Sequence, residues 1–126
     1  MVNFKKLIID ENTSILDAIK IIDNSIYRTC FVVNNHNKLI GSITDGDIRR
    51  GLLKKINFKS KVSKVCNRKT ISSLKKNILN QDVYKSERCI PILNKKKQII
   101  DIKILKSYKN KINSALIMAG GKEERL

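Results

Sequence analysis

The sequence predicts an α/β fold made of two β-α-β-β-α repeats packed as one module. Three observations lead to it. Apolar runs at 28–33 (RTCFVV) and 89–93 (CIPIL) read as strands buried on both faces. Each is followed by a polar turn, NNHNK at 34–38 and NKKKQ at 94–98, and then by a second apolar run, LIGSIT at 39–44 and IIDIKIL at 99–105. A shift of 60 residues superposes these two hairpins without a gap, so that Arg28, Asn34 and Ile40 meet the identical Arg88, Asn94 and Ile100.

The remaining elements follow in chain order. Residues 4–9 (FKKLII) read as a short extended lead-in. In 14–23 (SILDAIKIID), Ile15, Ala18, Ile19 and Ile22 recur at helical spacing, Ser14 or Thr13 can cap the helix, and Asp17 suits its first turn. After the first hairpin, Thr44 or Asp45 caps a second helix running to about Lys55, with Ile48, Leu52 and Leu53 on its apolar face. In the second half, 71–79 (ISSLKKNIL) spaces Ile71, Leu74 and Ile78 helically, and a few extra residues are expected around 80–87. The helix after the last strand is weak in sequence (KSYKNK). Pro91, aligned with Phe31, is expected to interrupt pairing or to mark a sheet edge. The repeats divide the chain at 1–56 and 57–108.

Composition narrows the function. The chain has 126 residues, 41% hydrophobic and 30% charged, a globular balance. Its longest apolar run is five residues, 115–119, far short of the roughly 18 that a spanning helix needs. No stretch of signal-peptide length opens the chain, which points to a cytoplasmic protein with Cys30, Cys66 and Cys89 as thiols. The net charge of +16 invites a nucleic-acid reading. Against it, the basic charge is mostly lysine, and Lys, Ile and Asn together dominate the chain as an AT-rich coding bias would make them. Only six residues are Arg, and the aromatics are scattered singly. Such a field still attracts anionic small molecules. The single histidine, His36, sits in a polar turn, and the cysteines show no C-x-x-C spacing, so neither a zinc site nor a nucleophile–histidine pair is expected. No catalytic residue is assigned.

The segment GSITDGDIRR, 41–50, joins a buried strand to a helix. The free N–H groups at a helix start favour an anion. Thr44 can offer a hydroxyl to a phosphate, Asp47 can accept from a ribose diol, and Gly46 keeps the backbone approach open. The same residues, with the element order, resemble the CBS domain (named after cystathionine β-synthase), and the two repeats resemble a CBS pair over about 3–107. The resemblance implies two units packed through their sheets, a nucleotide site in the cleft between them, and a disc-like homodimer formed by the helices, with Ile48, Leu52 and Leu53 as contacts. It implies adenine nucleotide as partner (AMP, ADP or ATP, none required as a cofactor). Thr44 would face the phosphate and Asp47 the ribose. Thr70 and the strand around Ile90 and Ile92 would come from the other half, and Arg49 and Arg50 would add charge. The alternative is that Asp45, Asp47 and Thr44 merely stabilise their helix, in a module that only dimerises. In the second repeat Asp101 replaces the residue matching Gly41, and no acid occurs from Ile102 to Lys122, so one site per chain is expected.

Residues 109–126 lie outside both repeats. Their ALIMAGGKEERL resembles the first strand and glycine-rich loop of sugar-phosphate nucleotidyltransferases, with Gly120, Gly121, Lys122 and Arg125 at the loop positions. Glu123 departs from that pattern, standing where the loop usually keeps another glycine. The resemblance implies a regulatory front end of a longer enzyme, itself without activity.

Overall fold

The computed structural model describes residues 4–70, 72–74 and 89–104. A 3-10 turn at Phe4–Leu7 leads into β1 (Ile8–Asp10), so the lead-in is only half extended. Then come α1 (Ile15–Asp23), β2 (Thr29–Val33), β3 (Leu39–Thr44) and α2 (Asp45–Leu53). The second repeat contributes β4 (Ser73–Leu74), β5 (Cys89–Leu93) and β6 (Ile99–Ile104).

The strands form two three-stranded sheets, ordered β1-β2-β3 and β4-β5-β6, each with a parallel first pair and an antiparallel hairpin. The 60-residue repeat holds register for register. Thr29 faces Thr44 as Cys89 faces Ile104, and Val32 faces Gly41 as Ile92 faces Asp101. Even the irregularity after Val32 recurs after Ile92. The turns match too: the Asn34 and Asn94 side-chain oxygens each accept two backbone N–H groups of their own turn, and Asn37 and Lys97 both take positive φ, 62° and 65°.

Three sequence expectations change in the second half. Leu74 lies in a strand paired with Leu93, not on a helix, because β5 needs a parallel neighbour as β2 has β1. The β4–β5 connection, 75–88, is four residues shorter than the β1–β2 connection, 11–28, so the extra residues expected there are a deficit. The rest of the 71–79 helix, the KSYKNK segment and the tail fall outside the described residues. Pro91 is buried in the central strand of its sheet, opposite Ile102, and marks no edge. Its lack of an N–H shows instead in the parallel ladder, which starts at Ile92 whereas the first sheet's starts at Phe31.

Strand alternation sorts the core into two layers. Cys30, Val32 and Ile43 point to the helices and pack with Ile15, Ala18, Ile22, Ile48 and Val62. Phe31 points the other way and packs with Leu7, Cys89 and Ile102. The sheets thus join face to face, with Leu39, Ile99 and Ile104 at the rim of that layer. The hairpin tips are stitched as well: Leu39 N–H donates to the Lys97 carbonyl at 3.0 Å, and Gln98 Nε2 donates to the His36 carbonyl at 3.0 Å.

Candidate functional site: the end of β3 and the start of α2

The β3–α2 junction is held by reciprocal capping. Thr44, the N-cap, is extended (φ −122°, ψ 171°), and its hydroxyl accepts from Asp47 N–H at 3.3 Å. Asp47 Oδ2 in turn accepts from Thr44 N–H at 3.0 Å and from the Thr44 hydroxyl at 3.1 Å. The other oxygen, Oδ1, accepts from Arg50 Nη2 at 2.7 Å. Asp47 and Thr44 therefore do the helix-stabilising work that the sequence alone allowed them, and they do it on the wall of a cleft.

That cleft has a volume of about 360 Å³. One side is the β3–α2 junction: Thr44, Asp45, Gly46, Asp47 and Arg50. Its floor is Thr29, Phe31 and Ser42, which alternate onto one face of β2 and β3. The opposite side holds Asn67, Thr70 and Cys89. Thr70 lines the same cleft as Thr44 and Asp47, its hydroxyl donating to the Asn67 carbonyl at 2.8 Å.

Gly41 makes this gathering sterically feasible. Ser42 and Asn67 exchange two backbone hydrogen bonds, 3.0 and 2.7 Å, which lay the 66–70 segment across β3. A Cβ on Gly41 would stand 2.8 Å from the Asn67 carbonyl oxygen and 2.9 Å from Cys66 Sγ. Gly41 thus admits the chain's own backbone, whereas a Cβ on Gly46 would meet only ordinary contact distances. Asp101 occupies the position matching Gly41 and puts a side chain where such a crossing would run.

Other placements differ from expectation. Arg49 is exposed and does not line the cleft; Arg50 does, because positions three and four after Asp47 and Gly46 share their helix face. Ile90 and Ile92 are buried on the opposite face of β5, and Cys89 takes the cleft position. Ile48 is 5% exposed within its own core and is not available for a dimer contact, whereas Leu53 is 80% exposed. Gly120, Gly121, Lys122 and Arg125 lie outside the described residues. Thr29, Phe31, Ser42 and Asn67 were not singled out from sequence. Period-two alternation from Thr44 would have found Ser42, but nothing local announces Asn67.

A second cleft, about 490 Å³, lies at the hairpin tips between Phe4, Ile8, Val33, Asn37, Asn94 and Ile99. It is larger but contains none of the junction residues. Among the described residues no group of three or more His, Cys, Asp and Glu side chains could hold a metal, and no helix is long and apolar enough to cross a membrane. No disulfide joins Cys30, Cys66 or Cys89. Burial pushes the Cys30 thiol up to about 12 and also raises that of Cys66.

Comparison with known proteins agrees with this architecture. Residues 4–54 match the family model for the CBS domain. An uncharacterized protein of Helicobacter pylori is 38% identical over 55 residues, which are 44% of this chain and 17% of that protein; its counterpart from a second strain is 36% identical over the same length. The chain thus matches only about a sixth of the length of these curated relatives. A hypothetical conserved protein from Geobacillus kaustophilus superposes with a TM-score of 0.73 at 15% identity, covering 91% of this chain and 93% of that one. CbpB in complex with c-di-AMP gives 0.68 at 16% identity, covering 91% and 81%. The CBS domain pair of protein MJ0100, in complex with 5′-methylthioadenosine and S-adenosyl-L-methionine, gives 0.63 at 19% identity, covering 86% and 89%. With two sheets in the same register, a junction cleft between the repeats and these superpositions, the chain has the fold of a CBS-domain pair, its first repeat carried by a segment that matches the CBS domain itself.

Proposed function

We propose that this chain is a regulatory module that binds one adenine nucleotide in the cleft at the β3–α2 junction. The observation that carries the reading is the convergence there of Thr44, Asp47 and Arg50 from the first repeat with Thr70 and Cys89 from beyond it. The phosphate would lie at the start of α2 near Thr44, where backbone N–H groups and the helix dipole favour an anion. The ribose would reach Asp47, and the base would enter between the sheets above Phe31. Two proteins of the same fold, crystallised with c-di-AMP and with adenosine derivatives, support the ligand class. The domain division at 1–56, 57–108 and 109–126 belongs to this proposal, as does the placing of the module ahead of a sugar-phosphate nucleotidyltransferase in the cytoplasm. The tail motif supports that placing.

The test is a calorimetric titration of the chain with AMP, ADP, ATP, GTP and c-di-AMP, beside Asp47→Ala. Saturable binding of an adenine nucleotide near one per chain, lost in the variant, is the expected result. Absence of binding by all five ligands rejects the reading.

A second reading is favoured by one specific observation. Leu53 is 80% exposed on α2, and Leu16 and Phe58 are exposed beside one another, joined by a Leu16 N–H to Phe58 carbonyl bond of 3.0 Å. On this reading the helical face pairs two chains, and the junction residues only cap α2.

A further inference from the structure

We propose that Arg50 is an exchangeable counter-ion of Asp47 and that this exchange selects phosphorylated over unphosphorylated ligands, an inference that rests on the reading of the junction cleft as a nucleotide site. Asp47 Oδ2 is tied into the cap of α2 by two Thr44 bonds. Both acceptor sites of Oδ2 are thereby used, so a ligand diol that donates two hydrogen bonds to Asp47 needs both sites of Oδ1, one of which the Arg50 guanidinium holds at 2.7 Å. The two partners are unequal: the Asp47 side chain is 13% exposed and the Arg50 side chain 67%. The arginine is the member that moves, because its solvated pair with Asp47 is weak.

The charge of the lining gives the displaced guanidinium its destination. The described walls of the cleft carry two carboxylates, Asp45 and Asp47, and a single cation, Arg50. Without the guanidinium, these two carboxylates would oppose a phosphate placed at the start of α2. A phosphate there offers Arg50 a new anion as the diol takes Asp47. Gly46 borders the route: a Cβ on it would lie 3.4 and 3.6 Å from the two terminal Arg50 nitrogens and 3.7 Å from the Thr44 hydroxyl. A ligand with both diol and phosphate exchanges one ion pair for another. A nucleoside gives up the ion pair and supplies nothing in its place.

The test compares AMP with adenosine on the whole chain, using wild type, Arg50→Gln and Arg50→Lys, with thermal melts to verify folding. Arg50→Gln is expected to weaken AMP by about tenfold, the loss of a charge-assisted contact, while adenosine binds as well as to wild type or up to about twofold more tightly. Arg50→Lys is expected to hold AMP within about threefold of wild type, since the positive charge remains. Equal weakening of both ligands by Arg50→Gln, or no change in either, overturns the exchange while leaving the nucleotide site standing. Failure of wild type to bind AMP overturns the exchange, and failure to bind any of AMP, ADP, ATP, GTP and c-di-AMP overturns the site reading with it.

Discussion

Gly41 and Gly46 are five residues apart in one motif, yet the structure asks different things of them. A methyl group on Gly41 collides with the backbone of Asn67, which two hydrogen bonds hold in place. Gly41→Ala should therefore cost about 1–3 kcal/mol in urea unfolding and should loosen the 66–70 wall of the cleft. A methyl on Gly46 meets only the far end of Arg50 and the Thr44 hydroxyl at ordinary distances. Gly46→Ala should leave the melting temperature nearly unchanged and weaken nucleotide binding. If both variants melt alike, the asymmetry is wrong. Cys30 carries a pH prediction. Its thiol is raised by burial from 9.0 to about 12, so the folded state holds its proton more tightly than the unfolded state. That stabilisation is complete below about pH 9 and is lost as pH rises toward about 12. Wild type should lose stability across pH 8–10 more steeply than Cys30→Ala, and Cys30 should resist thiol reagents until the chain unfolds.

At the scale of elements, α2 begins where two reciprocal bonds form. Thr44→Val removes the hydroxyl and should cost about 1 kcal/mol, read as a lower urea midpoint with unchanged slope. The hairpin turns offer the opposite sign. Lys97 holds a φ of 65° with a side chain that disfavours it, while the first repeat places Asn37 there at 62°. Lys97→Asn should stabilise the chain by roughly 0.5 kcal/mol; a lower melting temperature would contradict this account of the turn. Most of these elements were legible in the sequence, because apolar runs, capping residues and polar turns act within a few residues. Leu74 was not. Apolar residues at 71, 74 and 78 recur at helical spacing, and the pairing of Leu74 with β5 overrides that local pattern.

For the whole molecule, the sheet-to-sheet layer and the stitched hairpin tips make one body of two repeats. Leu53 and Ile48 separate surface from core within one helix. Leu53→Asp should leave the monomer folded and abolish any self-association in sedimentation velocity. Ile48→Asp should unfold the chain, since it buries a charge among Ile15, Ile43 and Val62. The charge of +16 gives a further discriminator. Polyanion binding through that field should collapse as salt rises, whereas binding in a walled cleft should fall only modestly.

The 60-residue repeat, both hairpins, the α/β class and the Thr44–Asp47 turn were determined by sequence alone, because each rests on periodicity or on contacts a few residues apart. The partners across the cleft were not. Asn67 reaches the site through backbone bonds to Ser42, and Cys89 rather than Ile90 faces it because strand parity places every second residue on the sheet interface. Arg50 rather than Arg49 enters the cleft because α2 starts at Thr44 and turns position 50 onto the face of Gly46 and Asp47. These choices depend on how separate elements pack, which only the tertiary structure decided.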